Sequence, residues 1–89
     1  MERRDIEVTN EHGLHARPAA LFVQTAARFS SRITLRNLSR SGKEANAKSI
    51  MEVLTAGVDR GSRIQIEADG DDASGAVQAL AELIESGLA

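Results

Sequence analysis

A chain of 89 residues with no cysteine and a net charge of −2 can bury one hydrophobic core, and it has no disulfide framework to hold it. Its only aromatic residues are Phe22 and Phe29, which excludes the stacking platforms of single-strand and RNA binders. No run approaches the roughly 20 apolar residues needed to span a bilayer, and Met1-Glu2-Arg3-Arg4-Asp5 lacks the apolar stretch of a signal peptide.

The expectation is one cytoplasmic domain over residues 1–89, monomeric, with neither nucleic acid nor membrane among its partners. The charge is unevenly placed: residues 1–48 hold nine Lys/Arg against five Asp/Glu, and residues 49–89 hold two against eight, so the halves are +4 and −6. In one folded domain this predicts a positive surface around any anion-handling site in the first half.

In chain order, Asp5-Ile6-Glu7-Val8-Thr9 alternates and predicts a strand with Ile6 and Val8 inward. Asn10-Glu11-His12-Gly13 is its exit loop. Beyond Pro18, the residues Phe22, Ala26 and Phe29 share one helical stripe, with Ala19 and Val23 beside them, until Ser30-Ser31 breaks the pattern. Ala16 and Ala20 lie towards the other side, where small residues leave the helix start approachable.

Arg32-Ile33-Thr34-Leu35-Arg36 alternates again, Ser39-Arg40-Ser41-Gly42-Lys43 is a polar turn, and Glu44-Ala45-Asn46-Ala47 is a short third strand. Ser49-Ile50-Met51-Glu52 has the form of a capping box opening a short helix that Gly57 ends. Asp59-Arg60-Gly61-Ser62 is a loop, and Arg63–Ala68 is the clearest strand, with Ile64, Ile66 and Ala68 on one face. Asp69-Gly70-Asp71-Asp72 turns into a last helix whose stripe is Val77, Leu80 and Ile84, with a stop at Ser86-Gly87. The order βαββαβα, with one apolar face per strand, predicts an α+β fold: a four-stranded antiparallel sheet with three helices on one face.

The chemistry concentrates at Gly13-Leu14-His15-Ala16-Arg17-Pro18. Pro is favoured in a first helical turn, so the helix starts at Ala16 or Arg17 and His15 is the N-cap or its neighbour. The unpartnered N–H groups there attract anions, and Arg17 adds a planar donor fork suited to phosphate. A histidine so placed can be a nucleophile whose phosphate the helix end holds. On spacing alone it can also be a simple helix cap, or a metal ligand shared with His12. No Cys and no third His completes such a shell, so no metal is expected.

These residues, Gly13-Leu14-His15-Ala16-Arg17-Pro18-Ala19, resemble the active-site signature of the histidine-containing phosphocarrier (HPr) family of the bacterial phosphotransferase system. Ala47-Lys48-Ser49-Ile50-Met51 resembles the family's second segment, which contains its regulatory serine. The resemblance covers nearly the whole chain. It implies an open-faced β-sandwich, with the first strand beside the fourth and the second beside the third.

The resemblance also implies a carrier rather than an enzyme: His15 accepts a phosphoryl group on Nδ1 from enzyme I and passes it to a histidine of a IIA protein. A free imidazole, with a pKa of about 6.5, is mostly neutral and nucleophilic at pH 7. Arg17 and the amides of Ala16 and Arg17 would stabilise the transferring phosphate. No cofactor is expected, because there is no P-loop or other Gly-rich strand-to-helix turn.

Ile50, Met51, Val53 and Leu54 cover nearly the whole circumference of the short second helix, so part of this apolar surface should stay exposed. With Ala16 and Ala20, the residues Ile50, Met51 and Leu54 are the expected partner contacts, again by resemblance. Ser49 is expected to cap this helix, with Glu52 reaching back to complete the box. It is also the candidate for regulatory phosphorylation by a serine kinase and its phosphorylase. The runner-up function is accordingly a regulatory docking protein controlled through Ser49.

Two departures from the family pattern stand out. The Leu38-to-Gly42 turn is longer than usual. Glu52 brings a carboxylate to the docking face, a hint of the nitrogen-related branch or of partners with altered charge.

Overall fold

Four alternating segments each carry one apolar face, and a single sheet joins those faces. The computed structural model describes residues 1–86. Its elements are β1 (Glu2–Glu7), α1 (Ala16–Ala26), β2 (Arg32–Asn37), β3 (Glu44–Asn46), α2 (Ile50–Thr55), β4 (Arg63–Asp69) and α3 (Ala73–Glu85). All neighbouring strands are antiparallel, in the order β1-β4-β2-β3: the β1–β4 and β2–β3 pairs are those the family resemblance implies, and the β4–β2 pair joins them.

Register sets the core. Ile6 lies opposite Ile64, Leu35 opposite both Ile66 and Ala45, and Ile33 opposite Ala68, so these side chains form one inner face. Phe22 of α1, Val53 of α2, and Val77, Leu80 and Ile84 of α3 cover it, all buried. The opposite face is polar: Arg3 pairs with Glu67 (2.9 Å), Arg36 with Glu44 (3.9 Å), and the Gln65 amide donates to Asp5 (3.1 Å). Exposed pairs of this kind add little stability; they keep the uncovered face in water. They also account for two of the cations of the basic first half.

The termini of several elements differ from expectation. The first strand starts at Glu2 rather than Asp5, because β4 supplies partners as far as Ala68. Val8 lies past the strand end yet stays buried, tied by Val8 N–H to the Ser62 carbonyl (2.8 Å). Helix α1 ends at Ala26, short of Phe29: the Arg28 and Phe29 amides turn back to the carbonyls of Thr25 and Ala26 in three-residue steps. Phe29 still packs on the core, and its carbonyl accepts from Lys48 Nζ (2.6 Å). Of the expected stop after α3, Gly87 lies outside the described residues.

Two acids find partners that local sequence does not suggest. Ser49 Oγ does accept from the Glu52 amide (3.3 Å), but the reciprocal half of the capping box is absent. The Ser49 amide donates to the Asn46 carbonyl, and the Glu52 carboxylate instead accepts from the Asn46 amide (2.9 Å). Glu52 is thereby tied to the end of β3, while it stays exposed on α2 beside Met51.

Asp72 precedes α3 without a side-chain cap bond. Its carboxylate accepts from the Ser30 amide (2.8 Å), the Ser31 amide (2.9 Å) and both serine hydroxyls, locking the α1–β2 turn. These bonds, led by the Ser31 hydroxyl, hold its carboxyl at about 2. Because the folded value is depressed, the stabilisation is complete above an ordinary Asp value of about 4 and fades as pH falls towards 2. Urea midpoints measured from pH 7 to pH 2 should therefore drop in that window. Asp72→Ala should start lower at pH 7 and fall less steeply across it; parallel curves would contradict this role.

Candidate functional site

The histidine is placed by a loop docked on another loop. Asn10 closes the turn before it: the Gly13 amide donates to the Asn10 carbonyl (3.2 Å), and Asn10 Nδ2 donates to the Gly13 carbonyl (2.8 Å). Gly13 has φ +57°, and a Cβ there would lie 2.2 Å from the Val58 carbonyl oxygen, so only glycine fits this approach. The next amide, of buried Leu14, donates to that same oxygen (2.9 Å). The start of α1 is thus fastened to the α2–β4 loop, which brings His15 beside Asp59.

His15 is the N-cap of α1, in an extended conformation, but its ring caps nothing. Instead Nε2 lies 2.7 Å from Asp59 Oδ1, with the His15 side chain 41% exposed. The other Asp59 oxygen accepts from Arg40 Nη2 (3.2 Å). The hydrogen bond from His15 foremost, with its charge and the Arg40 guanidinium adding to it, holds the Asp59 carboxyl below the usual carboxylate range against some desolvation. An ionised carboxylate only accepts, so the proton sits on Nε2 and, in the neutral ring, Nδ1 carries the lone pair.

The ionised side chain in hydrogen-bond contact with His15 is thus an acid from the acidic half of the chain, with Arg40 on its other oxygen.

Ala16 follows with φ +50°, the only left-handed non-glycine residue among those described. A strain of about 1–2 kcal/mol is thereby stored directly after the histidine. The Arg17 side chain is exposed and makes no hydrogen bond or ion pair among the described residues, whereas Pro18 is buried. Ala16 is exposed and Ala20 half-buried. Helix α2 packs on α1 and turns only Val53 fully inward; Ile50 (41%), Met51 (72%) and Leu54 (40%) remain exposed. Ser49 is half-buried at the head of that helix. Arg40 and Met51 border one groove of about 660 Å³ between the β2–β3 loop and α2.

Sequence reasoning missed Asp59 and Arg40. They sit in segments read as plain polar turns, 44 and 25 positions from His15, and no periodicity links them.

The fold and site together define the class: a small open-faced α+β domain whose half-exposed histidine heads its first helix. The family model for the HPr component of the phosphotransferase system, described by its phosphorylation site, matches residues 2–86. The chain is 47% identical over 81 residues to the multiphosphoryl transfer protein of Salmonella typhimurium, covering 91% of this chain and 22% of that protein. It thus spans about a fifth of that relative's length. Among solved structures, an HPr from Thermoanaerobacter tengcongensis superposes with a TM-score of 0.92 at 49% identity, over 98% of this chain and 94% of that one. The phosphocarrier protein HPr of Bacillus anthracis gives 0.87 at 42%, over 93% and 95%. The chain belongs to the HPr family of the phosphotransferase system.

Proposed function

We propose that this chain carries a phosphoryl group on His15, taking it from phosphorylated enzyme I and giving it to a histidine of a IIA protein. The observation that carries the reading is the engaged Nε2. With that nitrogen bound to Asp59 and the ring half-exposed at a helix head, Nδ1 is the nucleophile on offer. The chain is a consumed and regenerated intermediate in the cytoplasm, not a catalyst in its own right.

Ala16, Ala20, Ile50, Met51 and Leu54 form the surface on which both partners dock, the exposed α2 side chains supplying its apolar area. Ser49 serves first as the α2 cap. A phosphoryl group there would add negative charge within three residues of the Glu52 carboxylate and next to the docking surface, which suits a regulatory role.

The direct test is incubation with phosphoenolpyruvate, Mg²⁺ and catalytic enzyme I. The chain should gain one acid-labile, base-stable phosphate and lose it on addition of a IIA protein. A chain that stays unmodified would end the carrier reading.

Arg17 should matter to transfer more than to folding, its side chain being exposed and free of hydrogen bonds among the described residues. Arg17→Ala should slow phosphorylation by enzyme I at least about tenfold, as loss of a positioned donor does. The thermal midpoint should barely move. A parental rate would mean that the helix amides suffice without it.

A further inference from the structure

The contact between His15 and Asp59 is more than a surface ion pair in its construction. Both residues hang from one backbone junction, since Val58, next to Asp59, accepts the amide of Leu14, next to His15 (2.9 Å). The Asp59 amide is itself tied to Ser62 Oγ (3.0 Å). On the far side, Arg40 holds Oδ2 while its guanidinium lies over Gly57, where a Cβ would come within 3.1 Å of Cζ and Nη1. The bare backbone at Gly57, φ +65°, is the seat that lets Arg40 reach the carboxylate. Backbone, hydroxyl and guanidinium thus fix the acid that grips the histidine.

We propose that Asp59, steadied by Arg40, is a positioning residue for His15: it holds the ring in its Nε2–H tautomer with Nδ1 outward, and balances the charge the ring acquires. This rests on the carrier reading above. In the transfer step the Nδ1 lone pair attacks the phosphorus of a donor phosphohistidine. The new Nδ1–P bond forms as the donor N–P bond breaks, and that electron pair returns to the donor ring. Nε2 keeps its proton throughout, so the phosphorylated His15 ring carries a positive charge, which the carboxylate 2.7 Å from Nε2 offsets. Onward transfer returns the bonding pair to Nδ1 and the ring to neutrality. No proton has to pass to Asp59. Because the site is half open to water, the effect is smaller than that of a buried His–Asp pair.

The test uses the full chain and three variants: Asp59→Ala, Asp59→Asn and Arg40→Ala. The ¹⁵N resonances of the neutral His15 ring report which nitrogen bears the proton. Phosphorylation by enzyme I reports the consequence, and circular dichroism checks the fold. In the parent, Nε2 should be the protonated nitrogen, with its proton slow to exchange. Asp59→Ala should shift the ring resonances towards a tautomer average and slow phosphorylation about tenfold. Asp59→Asn, whose amide oxygen still accepts from Nε2–H, should keep the parental ring signature and recover part of the rate. Arg40→Ala should fall between the parent and Asp59→Ala.

In Asp59→Ala, either a parental transfer rate or unmoved ring resonances overturns the role of Asp59. A parent chain that takes no phosphate on His15 is a different failure: it removes the carrier reading, and this role with it.

Discussion

His15→Ala should take up no phosphate from enzyme I, while His12→Ala should behave like the parent. The two histidines are three residues apart, but only His15 heads α1 with its ring oriented by a carboxylate; His12 is exposed in the preceding turn. The loss should be complete, because among the described residues only His15 has a ring nitrogen held by a carboxylate that leaves the other nitrogen outward. Folding should be nearly unchanged, since the His15 ring makes no cap bond and is half in water. Intact-mass spectra before and after acid treatment, beside thermal midpoints, measure both effects. Phosphate that persists in His15→Ala and vanishes in His12→Ala would move the site one loop upstream.

Gly13→Ala should cost about 2–5 kcal/mol, the sum of a left-handed non-glycine residue and a forced backbone displacement. The displacement is unavoidable because the new Cβ would lie 2.2 Å from the Val58 oxygen and 2.8 Å from the Asp59 Cα, both main-chain atoms. Moving those atoms shifts Asp59 away from the His15 ring, so phosphorylation should fall together with stability.

Gly42→Ala is the control. It has φ +68° but nothing within 4 Å of an added Cβ, so it carries only the conformational term of about 1–2 kcal/mol. Denaturant midpoints for the two variants should differ clearly. Equal midpoints would show that the junction at Val58 yields easily and does not pin the site.

Much of the architecture was legible because it is written in local periodicity. Alternation marks the inward faces of the strands, and the order βαββαβα with one apolar face each leaves one economical layering. Pro18 and the glycine before His15 announce the head of α1, and it begins at Ala16 as expected. The overloaded second helix, six residues long, could bury only one of its four large apolar side chains, and Val53 is the one that goes inward. All of these depend on neighbours within a turn or two along the chain, where spacing converts directly into direction.

What tertiary structure alone decided are the partners of the charged and polar side chains. Asp72 has the look of a helix cap, yet its carboxylate serves Ser30 and Ser31, 42 and 41 positions away. Glu52 has the spacing of a capping box, and the β3 amide of Asn46 takes it instead. Asp59 and Arg40 carry no motif, and they define the setting of His15. A hydrogen bond reaches only about 3 Å and leaves no period in the chain. Which acid meets which donor is settled only when β4 enters between β1 and β2 and brings the α2–β4 loop against the start of α1.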